Sequence, residues 1–534
     1  MNAKTTIASI FTLGILSGFL VTILLAIAYS LGYFSWVWLL GGIIAFNVFF
    51  WLIGPIIQDL INKWLYKTTW LTTQELEEQP YYSFVKDICK KNNIPIPKFG
   101  VIDDRNPTAF TYGSGAYNAR IVLTKGLSEF LTQEELEAVI AHEVGHIRYR
   151  DFITMTVAST ILQILYAIYM VLIRTKSSDS KKGNPLVVIA IASLIFYYIG
   201  TYLVLFLSRT REYAADAFAA RYTSADALST ALIKIAYGIL NVPEDKKTQH
   251  LLRNTRAQGI YDVEQAYKDG LAYQNAAGDA DAWAHAMLFD LTSPWAWLLE
   301  LKSTHPLVAK RIRALASRDD TARLRVDDAL VERVDMGRQW SNFFTDAAVV
   351  LLPKAALLVT VIFLVRGLME LNSFSFAAVG AGVYLLSSLF AVWYRFPRGQ
   401  AKQSVVSCMT DPYSSPVRGQ PVVLQGEAVG KGNAGAVFSE DLQFRDSTGL
   451  IYLNYVGFIP LISNLVMAFK KYKDFLGVQS TAKGWFYRRT SGYITLKELR
   501  NEQSTARSYP QLYAYLRPVG TILLVAVLVF FLFL

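Results

Sequence analysis

Cysteine is almost missing. The 534 residues hold two, Cys89 and Cys408, in distant segments, which excludes a disulfide framework and a Cys-x-x-Cys zinc site. Such sparing use fits a reducing compartment for the soluble parts. Histidine is scarce too, at five, and charged residues make up only 18%. The net charge is +10, but Lys and Arg are scattered along the chain, with no stripe of basic residues interleaved with aromatics. That distribution argues against nucleic acid as a partner. Apolar side chains are what the sequence has in excess, at 53%, and with a positive mean hydropathy they point to a membrane protein.

A helix needs about 20 apolar residues to cross a bilayer. Thr6–Tyr29 and Trp36–Ile57 meet this across a short turn at Gly32-Tyr33 and read as a hairpin. A cleaved signal peptide is the competing reading of the first run, since Lys4 precedes it and Ala26-Ile27-Ala28 resembles a cleavage site. Phe152–Ile173 and Leu186–Leu207 form a second pair around the polar loop Arg174–Pro185. A third pair is Ala347–Val365, which carries Pro353 and Lys354, and Phe374–Trp393. Pro518–Leu534 is a last anchor, giving six or seven spans.

The expected organisation is a transmembrane hairpin at 1–57, a soluble part at 58–151, a hairpin at 152–207, a second soluble part at 208–346, a hairpin at 347–394, a β-rich accessory domain at 395–517 and an anchor at 518–534. Complete hairpins put the three soluble stretches on one face. Lys63, Lys67, Arg148, Arg150, Arg395 and Arg398 flank the spans there, which predicts a cytoplasmic face. Arg174, Lys176, Lys181 and Lys182 run against that orientation.

Chemistry concentrates in one segment. Leu131-Thr132-Gln133-Glu134-Glu135 is a helix start, with Thr132 as cap and Glu135 completing a capping box. The helix runs on into His142-Glu143-Val144-Gly145-His146. Histidines four apart share a helix face and can hold one Zn²⁺ through their imidazoles. Glu143 stands beside them as a base able to take a proton from water attacking a carbonyl. A catalytic zinc keeps three protein ligands, and Glu212, within Ser208–Asp216, supplies the third. Asp216, four residues on, can accept the second ring proton of a ligand histidine. The bland alternative is a helix surface patterned with charges, which the nearby His-Glu-x-x-His outweighs.

With these motifs the chain resembles the HtpX-type membrane metallopeptidases, relatives of the CAAX prenyl endopeptidases. The resemblance rests on Glu135–His146, Ser208–Asp216 and Ser303-Thr304-His305-Pro306, and covers roughly residues 1–345. It implies a predominantly α-helical multi-span membrane protein with a zincin-like α+β catalytic domain, to which the residue pattern after about 345, outside the resemblance, adds a C-terminal β-rich accessory domain. It implies one Zn²⁺ per chain on His142, His146 and Glu212, with Glu143 as general base. The family pattern places Asn-Ala-Phe on an edge strand that holds substrate. Here the strand reads Thr108-Ala109-Phe110-Thr111-Tyr112-Gly113, with Thr108 in place of the Asn. Arg120–Thr124 also reads as a short strand, with Gly113–Asn118 as its turn-rich connection. An extended peptide can add to such an edge through its backbone.

His305-Pro306 precedes a basic helix, Leu307–Leu315, and either His305 or Arg311 could steady an oxyanion or contact substrate. His250 and His285 lack ligand spacing, and the polar stretch from Pro243 to Asp290 reads as a helical insertion or lid. In the last soluble stretch, Pro421–Ala428, Leu442–Arg445 and Leu450–Leu453 alternate like strands, and Asp446–Gly449 is a turn. Trp485-Phe486-Tyr487 and Tyr493-Ile494 are set to pair around Arg488–Gly492. A small barrel or sandwich follows, recognising substrate or lipid. The expected function is a zinc endopeptidase for membrane or membrane-associated polypeptides, in quality control, in the plasma (inner) membrane. The alternatives are a non-enzymatic membrane scaffold or transporter retaining a zinc site, and an intramembrane protease. Glu134, Glu137, Arg148 and Asp151 around the motif argue against the last, because the metal then lies at or above the interface.

Overall fold

The computed structural model describes residues 36–104, 107–174, 185–241, 280–370, 374–431, 440–489 and 492–533, with scattered positions between 12 and 27. Most of the expected first span, most of the Arg174–Pro185 loop and most of the Pro243–Asp290 stretch with His250 lie outside them. Two compact units hold the described residues, one from 12–241 and 300–325, the other from 280–299 and 326–533.

The first unit is built on helices α1 (Trp36–Leu65), α2 (Gln133–Arg148), α3 (Asp151–Leu172), α4 (Pro185–Tyr222), α5 (Ala225–Asn241) and α6 (Val308–Ala316). Its sheet has strands β1 (Thr69–Trp70), β2 (Lys98–Ile102), β3 (Ala109–Gly113) and β4 (Ala119–Thr124) in the order β1-β2-β4-β3. β2 and β4 are parallel and the outer pairs antiparallel. Arg120–Thr124 is therefore a central strand, buried at every position. The edges are β1, two residues long, and β3, whose hydrogen-bonded neighbour among the described residues is β4 alone. The foot of α1 is tied to this sheet. Asp59 takes a two-pronged bond from Arg120 at 2.9 and 3.0 Å, and Tyr112 donates to the same carboxylate at 2.7 Å.

α1, α3 and α4 each contain a stretch long and apolar enough to cross a membrane. α3 and α4 pack through Ile161, Leu165, Ile168, Ile189 and Ala190, and Ser193 donates to the Leu165 carbonyl at 2.7 Å. In this apolar setting small and hydroxyl residues let helices approach and satisfy one another. α4 does not end with its span. It runs on as one helix of 38 residues into the polar Arg209–Asp216 segment.

The second unit has three further span-length helices, α7 (Met336–Glu370), α8 (Phe374–Arg395) and α10 (Pro510–Phe533). α7 passes unbroken through Pro353 and Lys354, and α10 through Pro518, so both begin before the apolar runs that mark them in the sequence. Asp346 on α7 is wholly buried, where it accepts from Trp295 Nε1 (3.0 Å), Tyr394 Oη (2.7 Å) and Ser415 Oγ (2.5 Å). Three donors offset the desolvation of one buried carboxylate.

Beyond α8 lies a β-barrel of β6 (Gln420–Lys431), β7 (Leu442–Arg445), β8 (Leu450–Asn454), β9 (Gln479–Arg488) and β10 (Gly492–Arg500). The short β5 (Ala401–Lys402) and β11 (Thr505–Arg507) extend its margins. β6 pairs with β7, β7 with β8, β8 with β10 in parallel, β10 with β9, and β9 back with β6, closing a ring. With helix α9 (Pro460–Phe469) between β8 and β9, this is the strand order of an OB-type barrel. Leu424, Phe444, Ile451, Phe486 and Ile494 fill it, all fully buried. The turn after β7 is held by Asp446, which accepts from Thr448 N and Gly449 N, both at 2.7 Å.

Candidate metal centre

α2 begins at the Thr132–Glu135 capping box expected of it, and Glu135 also meets Lys234 of α5 at 2.8 Å. The motif face of α2 is pressed against α4. A Cβ on Gly145 would stand 3.1 Å from Ala215 Cα, so the absence of a side chain lets the two backbones meet there. That crossing places His142 and His146 of one helix beside Glu212 of the other.

His142 is fully buried and His146 is 16% exposed, with their Nε2 atoms 3.1 Å apart. Glu212 lies across from them, its Oε2 3.6 Å from His142 Nε2 and its Oε1 3.5 Å from His146 Nε2. One ligand atom from each of the three falls within 4.8 Å of the others. Behind them stands a ring of supporting groups. His142 Nδ1 faces Asp216 at 3.0 Å, and Asp216 is gripped by Arg311 through Nε at 2.8 Å and Nη2 at 2.6 Å. His146 Nδ1 meets Asp151 at 2.6 Å, and Asp151 in turn accepts from Arg211.

Asp151 follows His146 by five residues, a spacing that does not share a helix face. It comes back to the histidine because Arg150 takes a left-handed conformation, φ 57°, at the corner between α2 and α3. The sequence reading missed Asp151 and Arg211. It missed Thr111 as well, which reaches from β3 to donate to Glu143 Oε2 at 2.5 Å.

Glu143 is 1% exposed; its Oε1 and Glu212 Oε2 are buried without a hydrogen-bond partner. Such atoms are costly to leave bare and suit a cation or water between them. Four carboxylates, Glu143, Asp151, Glu212 and Asp216, face two guanidinium groups, Arg211 and Arg311, so neutral histidines leave two negative charges. The donor set and this imbalance fit one divalent ion of the nitrogen- and oxygen-binding kind. The protein alone answers the same imbalance with protons. Burial pushes His142 down, but Asp216 and Glu212 outweigh it and hold the ring up at about 9. At His146 burial prevails and lowers the ring, and burial raises the carboxyl of Glu143.

His305 is 3% exposed, with Nε2 3.6 Å from Glu212 Oε1 and Nδ1 3.0 Å from Thr304 Oγ1. Arg311, expected near substrate, is 1% exposed beneath Asp216 and 3.7 Å from Glu212. Ala109 and Phe110 lie on β3, the strand that carries Thr111 to Glu143, both with buried side chains.

The profile described as "Peptidase family M48" matches residues 75–319. A "Protease HtpX homolog" of Methanothermobacter thermautotrophicus is 32% identical over 209 residues, which is 38% of this chain and 74% of that one. Another, of Archaeoglobus fulgidus, is 29% identical over 301 residues, 55% of this chain and 81% of the relative. Among solved structures, that of S. mikatae Ste24p is 19% identical and covers 58% of this chain and 65% of its own at a TM-score of 0.34.

Proposed function

The chain belongs to peptidase family M48, among the HtpX homologues, as a membrane metallopeptidase, and from that premise we propose a zinc endopeptidase of membrane and membrane-associated polypeptides. His142, His146 and Glu212 would hold the ion, with Asp216 and Asp151 fixing the two rings through their Nδ1 atoms. Bound there, zinc supplies Lewis acidity to the scissile carbonyl and to the attacking water.

The remaining steps fall to the chain. A substrate in extended form adds to the free edge of β3, next to Ala109 and Phe110, and backbone pairing there tolerates many sequences. That tolerance suits a role in protein quality control. Glu143 takes a proton from the attacking water through its unpartnered Oε1 and passes it to the leaving amine, while Thr111 steadies Oε2. His305, beside Glu212, is placed to donate to the oxyanion. Arg311 acts at one remove, holding Asp216 against His142. The basic residues at the soluble ends of the helices, Lys63, Arg148, Arg150, Arg395 and Arg398, favour a cytoplasmic active site in the plasma membrane.

The observation that carries the reading is the meeting of three ligand residues with the buried, unpartnered oxygen of Glu143. The purified chain should hold about one zinc and cleave casein, and His142→Ala should lose both. Glu143→Gln should keep the zinc and lower turnover by about 10²–10⁴-fold. Full zinc and full turnover in His142→Ala would refute the ligand set. Parental turnover in Glu143→Gln would refute the base.

A further inference from the structure

We propose that the barrel of the second unit rests on the bilayer through helix α9 and the residue pair before it, so that this helix is an interfacial membrane anchor. Its partner is lipid, with a preference for anionic headgroups.

The argument starts from exposure. Phe458, Ile459, Ile462, Leu465, Val466 and Phe469 are between 40% and 59% exposed, six large apolar side chains in twelve residues. The opposite face is spent on the barrel, where Met467 and Ala468 are buried at 0% and 1%. The polar groups of the helix turn inward as well. Asn464 Nδ2 donates to Glu440 at 2.9 Å, its Oδ1 accepts from Gly457 N at 2.8 Å, and Ser463 Oγ accepts from Ile459 N at 3.2 Å. What faces outward is apolar, and a contiguous patch of this kind marks a binding surface.

The neighbouring chain says what covers it. Tyr509 N donates to Val456 O at 2.8 Å, Val456 N donates to Ser508 Oγ at 2.9 Å, and Tyr513 Oη donates to Phe458 O. The Phe458 and Tyr509 rings meet edge to face at 5.3 Å. Pro510 opens α10, a helix apolar enough to span. Phe458 is thus fastened to the first turn of a spanning helix, at the level where water gives way to hydrocarbon. Tyr509, Tyr513 and Tyr515 mark that level, as aromatic belts do. A helix starting there with its apolar face outward enters the headgroup layer by about 5–10 Å. Lys470, Lys471 and Lys473 follow it directly, where cations meet anionic lipid.

The test is a depth measurement on the full chain in vesicles of phosphatidylcholine, with and without phosphatidylglycerol. Cys89 and Cys408 are buried, so a thiol introduced by Ile462→Cys, at a site 59% exposed, takes a nitrobenzoxadiazole probe selectively. We expect blue-shifted emission, quenching by lipids carrying a shallow nitroxide, and no quenching by aqueous iodide. The same probe at Ser447, in the turn after β7, should respond to iodide alone. In the Ile462 variant, Lys→Gln at 470, 471 and 473 should abolish the added quenching produced by phosphatidylglycerol. Iodide access at Ile462 would overturn the proposal by leaving the face in water. Protection from iodide without lipid quenching would overturn it by putting a protein there, a second copy included.

Discussion

The metal centre of the first unit and the barrel of the second are equally closed to solvent and filled with opposite chemistry. His142, Glu143, Glu212, Asp216 and Arg311 are each at most 6% exposed, and so are Phe444, Ile451, Phe486 and Ile494. In the barrel burial itself stabilises, because each side chain leaves water at a gain. In the centre burial costs free energy, which ion pairs offset in part, Arg311 with Asp216 and Arg211 with Asp151, while Glu143 Oε1 and Glu212 Oε2 stay without a hydrogen-bond partner. The lesson is that depth alone does not tell what a buried residue is for. A barrel residue holds shape. A residue of the centre holds charge against its neighbours, in a cluster that could hold a metal ion.

Phe444→Ala sharpens this contrast most. It empties a fully buried ring site and should cost about 3–5 kcal/mol, seen as a lower melting temperature of the barrel by circular dichroism. Below that transition, zinc content and turnover per molecule should match the parent. Loss of zinc in step with the barrel would break the division between a region that holds shape and one that holds charge.

Asp151→Asn probes the other side with a smaller effect. Asparagine keeps an acceptor for His146 Nδ1 and for Arg211 but gives up the charge that both face. Losing the group that orients a ligand imidazole lowers metal affinity by about 10–100-fold. Competition with a chelator should show that drop with the helical signal unchanged. Parental affinity would mean that Asp151 serves Arg211 alone.

What could be read from the sequence divides along physical lines. The His142–His146 and Glu212–Asp216 pairs were legible because four residues along a helix is a local geometry. The Thr132–Glu135 box was legible for the same reason. Asp151 and Thr111 were not, since one depends on a left-handed corner at Arg150 and the other on a sheet crossing the motif helix. The strands of the barrel announced themselves by alternation, and Asp446–Gly449 by its turn chemistry. Its closure did not, because Gln420 pairs with Phe486, far along the chain. Helix α9 was missed because an apolar decapeptide in a strand-rich stretch has no period to separate it from a buried strand. The edge of the small sheet was half legible: both strands could be found, but only the pairing shows that β3 is outside and β4 inside.

The smallest expected effect concerns the carboxylate at the barrel's own boundary. Asp441, half-buried at the start of β7, accepts from Tyr455 N at 2.8 Å and from Asn454 Nδ2 at 3.1 Å. Burial outweighs these bonds and, with Glu440 beside it, raises the carboxyl to about 6 from its ordinary 3.8. The sign follows from proton counting. Between those two values the folded chain binds more proton than the unfolded one, so stability from this group is complete below about 3.8 and is lost as pH rises through about 6. Acidification from neutrality to pH 5 should therefore strengthen the barrel through Asp441, whereas carboxylates with lowered values act the other way. Partial exposure keeps the effect to about 1 kcal/mol. Asp441→Asn isolates it, since the amide oxygen still accepts from Tyr455 and no longer titrates. The melting temperature of the variant, measured against the parent, should stand higher by a larger margin at pH 7 than at pH 5. An equal margin at both would show that Asp441 is ionised throughout that range, its charge held by the bonds from Tyr455 and Asn454.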